Sequence, residues 1–107
     1  MARHQSAPPP YSVELEEKHW KELESWGERR LSEVMALLRD HVSQTPTTHV
    51  PGRLKQLRGE YRGYYQLSIG REHRLIYRVD EEDKKILVEY VGPHPDWSKS
   101  RGGRITR

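Results

Sequence analysis

The chain has 107 residues, a length that allows one small domain rather than two. Hydrophobic residues make up 33% of it, charged residues make up another 33%, and the formal net charge is +3, so we expect a thin core. The absence of cysteine excludes disulfides, thiolate catalysis and cysteine-ligated zinc or iron–sulfur sites. No apolar run approaches the roughly 20 residues that span a bilayer, and no apolar signal segment begins the chain. These features predict a reduced, cytoplasmic protein that does not enter the membrane.

Positive charge is concentrated in the second half of the chain. Residues 51–107 contain 13 Lys or Arg and 8 Asp or Glu, whereas residues 1–50 contain 6 and 8. A basic half indicates a polyanionic partner, either nucleic acid or an acidic protein segment. A solvated surface of mixed charge is the alternative, with equal weight.

The first half predicts a leader, one strand and two helices. Residues 1–10 hold three consecutive prolines and predict a flexible leader. Alternating apolar residues predict a half-buried strand over residues 11–16. Helical spacing predicts a first helix over Glu17–Trp26 and a second helix that ends near Val42, and their short link favours an antiparallel pair.

Two local signals mark the junction between these helices. Gly27 can end the first helix, since glycine readily adopts the backbone conformation of a helix C-terminus. Ser25 and Glu28 have the spacing of a capping box and predict the start of the second helix. His19 and His41 fall on the predicted helix surfaces.

The second half predicts a loop and then three strands. Residues 43–53 contain prolines, a glycine and several hydroxyls, which are typical of a loop. Alternation predicts strands over Tyr64–Ile69, His73–Val79 and Ile86–Val91, joined by tight turns into an antiparallel meander.

These elements predict an α+β domain over residues 11–97, with the order β-α-α-β-β-β. Two antiparallel helices would cover one face of a four-stranded, mostly antiparallel sheet, and the other face would be concave and open. Residues 98–107 hold four positive charges, no negative charge and two glycines, and predict a basic flexible tail.

Two residues of the second half have chemistry suited to phosphate. Arg74 lies on a predicted central strand, where its planar guanidinium could bind a phosphate; the alternative is an ion pair with Glu72 or Glu89. His94 lies between two prolines just past the last strand, where an imidazole could exchange a proton near neutral pH. The alternative is an ordinary surface turn.

Further polar and aromatic residues surround these two in the sequence. Asp96 could orient His94, and Trp97 could stack on a base. Cations interleaved with aromatics are typical of a surface that grips a nucleic-acid backbone, although half-buried tyrosines on a solvated edge are an equal alternative; the residues are Arg53, Lys55, Arg58, Tyr61, Arg62, Tyr64 and Tyr65. No nucleotide-binding loop is present and the six histidines lack metal-ligand spacing, so we expect no metal and no cofactor.

The stretch from Leu57 to Tyr77, which reads LRGEYRGYYQLSIGREHRLIY, is similar to the central segment of RelE/ParE-superfamily toxins. The YoeB branch has a leucine-lysine pair here, later a glycine and two aromatics, and then glutamate-histidine-arginine-leucine-valine-tyrosine. With Val13-Glu14-Leu15 and Trp20, the resemblance spans about residues 11 to 97. It implies a RelE-like fold and the toxin of a type II toxin–antitoxin pair, a small cytoplasmic growth inhibitor that a cognate antitoxin neutralises.

The resemblance also implies an activity and roles for residues. YoeB- and RelE-like members cleave mRNA in the 30S ribosomal A site without a metal, by attack of the ribose 2′-OH on the adjacent phosphate. Arg74 matches the family's phosphate-stabilising arginine, His94 its C-terminal catalytic histidine, and Arg58 a YoeB lysine. Lys55 replaces the YoeB general-base glutamate and Pro95 replaces an aromatic residue, which leaves the general base unassigned.

The expected function is therefore a ribosome-dependent mRNA endoribonuclease. Its expected partners are the antitoxin, the ribosome and mRNA. The expected catalytic residues are Arg74, His94 and Lys55, and the expected RNA-binding residues are Arg58, Arg62, Tyr65, Asp96 and Trp97. The alternative is a ParE-like toxin that inhibits DNA gyrase by protein binding. The missing glutamate favours this alternative, whereas the presence of Arg74 with His94 disfavours it.

Overall fold

A computed structural model describes residues 10–95 of the chain. Two helices and five strands follow in the order β1 (Ser12–Glu14), α1 (Glu17–Ser25), α2 (Glu28–Leu37), β2 (Leu54–Gln56), β3 (Tyr64–Ile69), β4 (His73–Asp80) and β5 (Lys85–Pro93). The basic tail predicted over residues 98–107, and the predicted leader except Pro10, lie outside the described residues. No helix within residues 10–95 is long and apolar enough to cross a bilayer.

The five strands form one sheet in the order β1-β5-β4-β3-β2. β2 to β5 pair antiparallel in succession, and β1 pairs parallel with β5. The helices cover one face, where buried side chains of both layers form the core: Leu23, Val34, Leu38, Val42, Leu54, Leu67, Ile69, Leu75, Tyr77, Ile86, Val88 and Val91. The predicted α+β architecture is confirmed, with one strand more than the four predicted.

The extra strand, β2, follows directly after the predicted loop. Its three residues are too few to display the alternation by which a strand is recognised in a sequence. Leu54 is buried and pairs with Leu67 of β3, so the strand forms on the tertiary contact rather than on a local pattern. β2 is the free edge of the sheet on this side.

The junction between the helices differs from the predicted capping box. Ser25 Oγ donates to the carbonyl of Glu22 at 2.6 Å, within α1, and does not cap α2. The residue before α2 is Gly27 at φ +94°, and its carbonyl accepts the N–H of Leu31 at 2.9 Å. The capping-box prediction is wrong because glycine can adopt this left-handed backbone and lets the chain break there.

The second helical segment changes its winding before it ends near Val42. The α-helix stops at Leu37, and Leu38–Val42 continues as a π-helical turn. The N–H and hydroxyl of Ser43 both donate to the carbonyl of Leu38, at 2.9 and 2.6 Å, and this widens the turn. One histidine also differs from prediction: His19 is only 3% exposed and lies inside rather than on the helix surface.

Candidate functional site

The sheet face opposite the helices, called the second face below, carries the candidate chemistry. Leu75 and Tyr77 of β4 point to the helices, so Arg74 and Ile76 lie on the second face. The register aligns Ser68, Arg74 and Gly92 in one row across β3, β4 and β5. This face is not fully open as expected, since the neighbouring row contains three buried residues: Gln66, Ile76 and Tyr90.

The strand register brings Arg74 and His94 together. Arg74 pairs with Gly92, and His94 follows two residues later on the same side of β5. The N–H of His94 donates to the carbonyl of Glu72 at 3.0 Å, which continues the β4–β5 ladder beyond its last assigned pair. Diagonal neighbours on one face of an antiparallel pair lie ~7–8 Å apart, so both side chains can reach one phosphate.

Arg74 has no ion-pair partner within residues 10–95. Its Nη1 donates to the carbonyls of His73 at 2.8 Å and Gly70 at 3.4 Å, and its buried Nε has no hydrogen-bond partner there. The alternative ion pair with Glu89 does not form, because that carboxylate accepts from Arg78 Nε at 2.7 Å. The guanidinium charge of Arg74 is therefore available to a bound anion.

The ring of His94 has a defined orientation. Its Nδ1 lies 3.0 Å from the carbonyl oxygen of Pro95. Since a carbonyl oxygen only accepts hydrogen bonds, the neutral ring carries its proton on Nδ1 and leaves Nε2 as an acceptor. This nitrogen can take a proton from a hydroxyl group. The same ladder places Glu72 opposite His94, a residue that the sequence suggested only as an ion-pair partner.

A cleft of about 780 Å³ lies beside the edge strand β2. It brings together four residues that the sequence singled out, namely Lys55, Arg58, Arg62 and Tyr65. The three cations form no ion pair within residues 10–95. The ring of Tyr65 stacks on Tyr77, with centroids 5.7 Å apart and planes inclined by 16°. This combination suits a polyanion that carries planar groups.

Two lining residues of the cleft were not among the predicted site residues. Thr47 and His49 come from the predicted loop before β2. Sequence periodicity does not position a loop, so only the contacts of the folded chain reveal them. The hydroxyl of Tyr77 donates to the carbonyl of Pro46 and ties this loop to the sheet.

Lys55 lies with the cleft cations rather than with Arg74 and His94. It pairs with Gln66 of β3, whereas Arg74 of β4 pairs with Ser68. Two strand spacings of ~4.8 Å and two residues of ~3.4 Å along the strand separate the Cα atoms of Lys55 and Arg74 by about 12 Å. Asp96 and Trp97, the remaining predicted site residues, lie outside the described residues.

The chain is similar to known toxins in sequence and in structure, although no family profile matches it. It is 27% identical over 78 residues to the toxin YoeB of Mycobacterium bovis, which covers 71% of this chain and 91% of that protein. The toxin–antitoxin complex RelBE2 of Mycobacterium tuberculosis superposes with a TM-score of 0.63 and 26% identity, covering 79% of this chain and 99% of that chain.

A second solved structure has the same fold. The YoeB/ParE toxin of Agrobacterium tumefaciens superposes with a TM-score of 0.64 and 25% identity, over 78% of this chain and 98% of that chain. In both comparisons nearly the whole known chain is matched. The motif residues from His73 to Tyr77 lie in β4, the central strand that carries Arg74. In sequence and in topology, the chain is therefore similar to toxins of the RelE/YoeB type.

Proposed function

We propose that this chain is the toxin of a type II toxin–antitoxin pair and cleaves mRNA on the ribosome, with no metal in the reaction. The observation that carries the proposal is the juxtaposition of Arg74 and His94 on the second face of the sheet. A fixed cation beside a proton acceptor is the minimum that RNA cleavage by its own 2′-OH requires. The relatives' names, which are those of toxins and of a toxin–antitoxin complex, support the same conclusion.

Two side chains act on the reacting phosphate. His94 Nε2 takes the proton of the ribose 2′-OH, whose oxygen then attacks the adjacent phosphorus. Arg74 donates to the non-bridging oxygens and stabilises the charge that builds up on them in the transition state. The P–O5′ bond breaks, leaving a 2′,3′-cyclic phosphate, and the departing 5′-oxygen takes a proton from water.

The cleft beside β2 binds the RNA away from the cut. Lys55, Arg58 and Arg62 neutralise phosphates, and the exposed part of the Tyr65 ring stacks on a base. Since the site offers only two groups at the phosphate, correct positioning of the substrate has to come from elsewhere. The ribosomal A site supplies it by holding the mRNA, which explains why the enzyme works on the ribosome.

The antitoxin is the second expected partner. The RelBE2 structure is a toxin–antitoxin complex, and an acidic segment of the antitoxin would neutralise Arg74 and the cations of the cleft. The gyrase-binding alternative is not favoured. Inhibition by protein binding does not require a guanidinium that lacks an ion pair within residues 10–95, as Arg74 does, or an imidazole held beside it, as His94 is.

The test is translation in a purified system, followed by primer extension on the mRNA, with and without ribosomes. Arg74→Ala and His94→Ala are compared with Arg78→Ala, a matched control on the same strand and face. We expect ribosome-dependent cuts from the wild type and from Arg78→Ala. We expect rates lower by about 10²–10³ for Arg74→Ala and by ~10²–10⁴ for His94→Ala. Full activity in folded Arg74→Ala and His94→Ala would refute the proposal. Intact mRNA together with inhibited gyrase supercoiling would select the alternative.

A further inference from the structure

The turn between β3 and β4 holds both candidate catalytic side chains. We call residues 70–73 the site turn. The carbonyls of Gly70 and His73 accept from the Arg74 guanidinium, and the carbonyl of Glu72 accepts the N–H of His94. A shift of this short segment therefore moves Arg74 and His94 relative to each other.

The helix layer contacts the site turn from the opposite side of the sheet. The ring of His73 lies against the indole of Trp26, directly after α1, with centroids 4.3 Å apart and planes inclined by 37°. Trp26 is itself oriented from α1, because its Nε1 donates to the Glu22 carboxylate at 3.1 Å. The ring contact thus connects α1 to the residue that precedes Arg74.

The second helix meets the same turn at Gly70. A side-chain carbon at this position would lie 2.7 Å from Nη2 of Arg30, so the α2 side chain packs directly on the turn backbone. Arg30 is in turn paired with Glu33 at 2.8 Å. Both helices therefore contact the turn that carries the site, at His73 and at Gly70.

We propose that Trp26 is a positioning residue for RNA cleavage, acting through its tilted ring contact with His73. The inference rests on the proposed function. Trp26 touches neither Arg74 nor His94 in the contacts described, but it fixes the ring of His73, and with it the carbonyl that accepts from Arg74 at 2.8 Å. Misplacing a reacting group by about 1 Å lowers a catalytic rate by ~10²-fold, so loss of this contact acts on the catalytic rate rather than on RNA binding.

The test separates the stack from the indole hydrogen bond. Trp26→Leu removes the aromatic ring, whereas Trp26→Phe keeps a smaller aromatic ring against His73 and removes the Nε1 donor. Trp20→Leu is the matched control, since Trp20 lies in α1, the helix that Trp26 directly follows, is 37% exposed and lies outside the ring contact. Cleavage of ribosome-bound mRNA is measured in single turnover over a range of ribosome concentrations.

We expect Trp26→Leu to lower the rate at saturation by about 10- to 100-fold, with the half-saturating concentration changed by less than about twofold. Trp26→Phe restores most of the rate, and Trp20→Leu cleaves as the wild type does. A folded Trp26→Leu with the wild-type rate, or a Trp26→Phe as slow as Trp26→Leu, overturns the positioning role.

A second variant covers the case in which Trp26→Leu does not fold. His73→Leu removes the same stack from the sheet side, and the same loss of rate is expected. A folded His73→Leu variant that cleaves mRNA at the wild-type rate overturns the inference as well. The two proposals can be refuted separately. A wild-type chain that cuts no mRNA on ribosomes refutes the proposed nuclease function. An active wild type whose Trp26→Leu and His73→Leu variants cut at the same rate refutes only the positioning role.

Discussion

Replacing Lys55 by glutamine tests whether this residue acts on the reacting phosphate or only on the RNA that leads to it. Lys55 stands where the YoeB branch has its general-base glutamate, which suggests a catalytic position. The strand register instead separates it from Arg74 by the whole width of β3. The two assignments predict effects on the cleavage rate that differ by orders of magnitude.

The geometry sets the size of the expected effect. With the Lys55 charge placed at the Cα–Cα separation of about 12 Å from Arg74, a unit charge in water contributes ~0.3 kcal/mol, and physiological salt screens it further. This corresponds to less than about a twofold change in rate. In the proposed mechanism Arg74, by contrast, donates directly to the transition state, where removal of one such donor costs a factor of about 10²–10³. Binding behaves differently: loss of one phosphate contact reduces the salt dependence of RNA affinity by about 0.7 in log–log slope.

The assay is single-turnover cleavage on ribosomes, combined with RNA binding at several salt concentrations. We expect Lys55→Gln to keep the rate at saturation within about twofold and to lower affinity and salt slope. Lys55→Glu should bind RNA more weakly still, without a faster cut, since a carboxylate at this distance cannot take the 2′-OH proton. A tenfold slower Lys55→Gln, or a faster Lys55→Glu, would refute the reasoning and assign position 55 to the reaction centre.

Two further predictions concern stability. Tyr77→Phe leaves the buried Pro46 carbonyl without its donor and should lower the free energy of unfolding by ~1–3 kcal/mol, whereas Tyr65→Phe should change it little. Equal urea midpoints for the two variants would contradict this. Burial lowers the pKa of His19 below its ordinary 6.5, so the unfolded chain takes up the proton first. The free energy of unfolding should therefore fall as the pH drops below 6.5, by at most ~1.4 kcal/mol per pH unit, until the folded group also titrates. Between pH 6.5 and 5.5, the free energy of unfolding of His19→Gln should fall less steeply than that of the wild type. Parallel curves of unfolding free energy against pH for the two proteins would rule out this contribution of His19.

The sequence predicts the architecture well where its pattern is long and local. β3, β4 and β5 have six to nine residues each, and their alternation is visible without a structure. β2 has three residues and forms on the pairing of Leu54 with Leu67, which no local pattern announces. Similarly, the sequence contains two signals at the helix junction, a capping box at Ser25 and a helix end at Gly27. In the structure the chain breaks at Gly27, because glycine readily adopts a positive φ, and Ser25 does not cap α2.

The candidate site was predictable only as a set of residues, not as an arrangement. The resemblance to RelE/ParE toxins singled out Arg74, His94 and Lys55 together, but the register of the sheet separates Lys55 from the other two. His49 was missed, because it reaches the cleft from a loop. The sequence did not predict the burial of His19, because its N-terminal neighbours are charged. In the structure its Nδ1 accepts the Glu16 N–H at 3.1 Å, a contact that no sequence pattern indicates.

Position 55 carries a lysine where the YoeB branch has a glutamate, and the two side chains interact with RNA in opposite ways. A carboxylate repels RNA phosphates and a lysine attracts them, so under the proposed function a lysine at position 55 strengthens RNA binding in the cleft. In the proposed mechanism, proton transfer depends on His94, whose Nδ1 lies 3.0 Å from the Pro95 carbonyl oxygen, so that Nε2 is the accepting nitrogen. Because a single imidazole cannot both take and give a proton in one step, that mechanism relies mainly on the positioning of the reacting groups. We therefore expect the contacts of Arg74 and Trp26 with the site turn to matter more here than they would in a site with two proton-transferring groups.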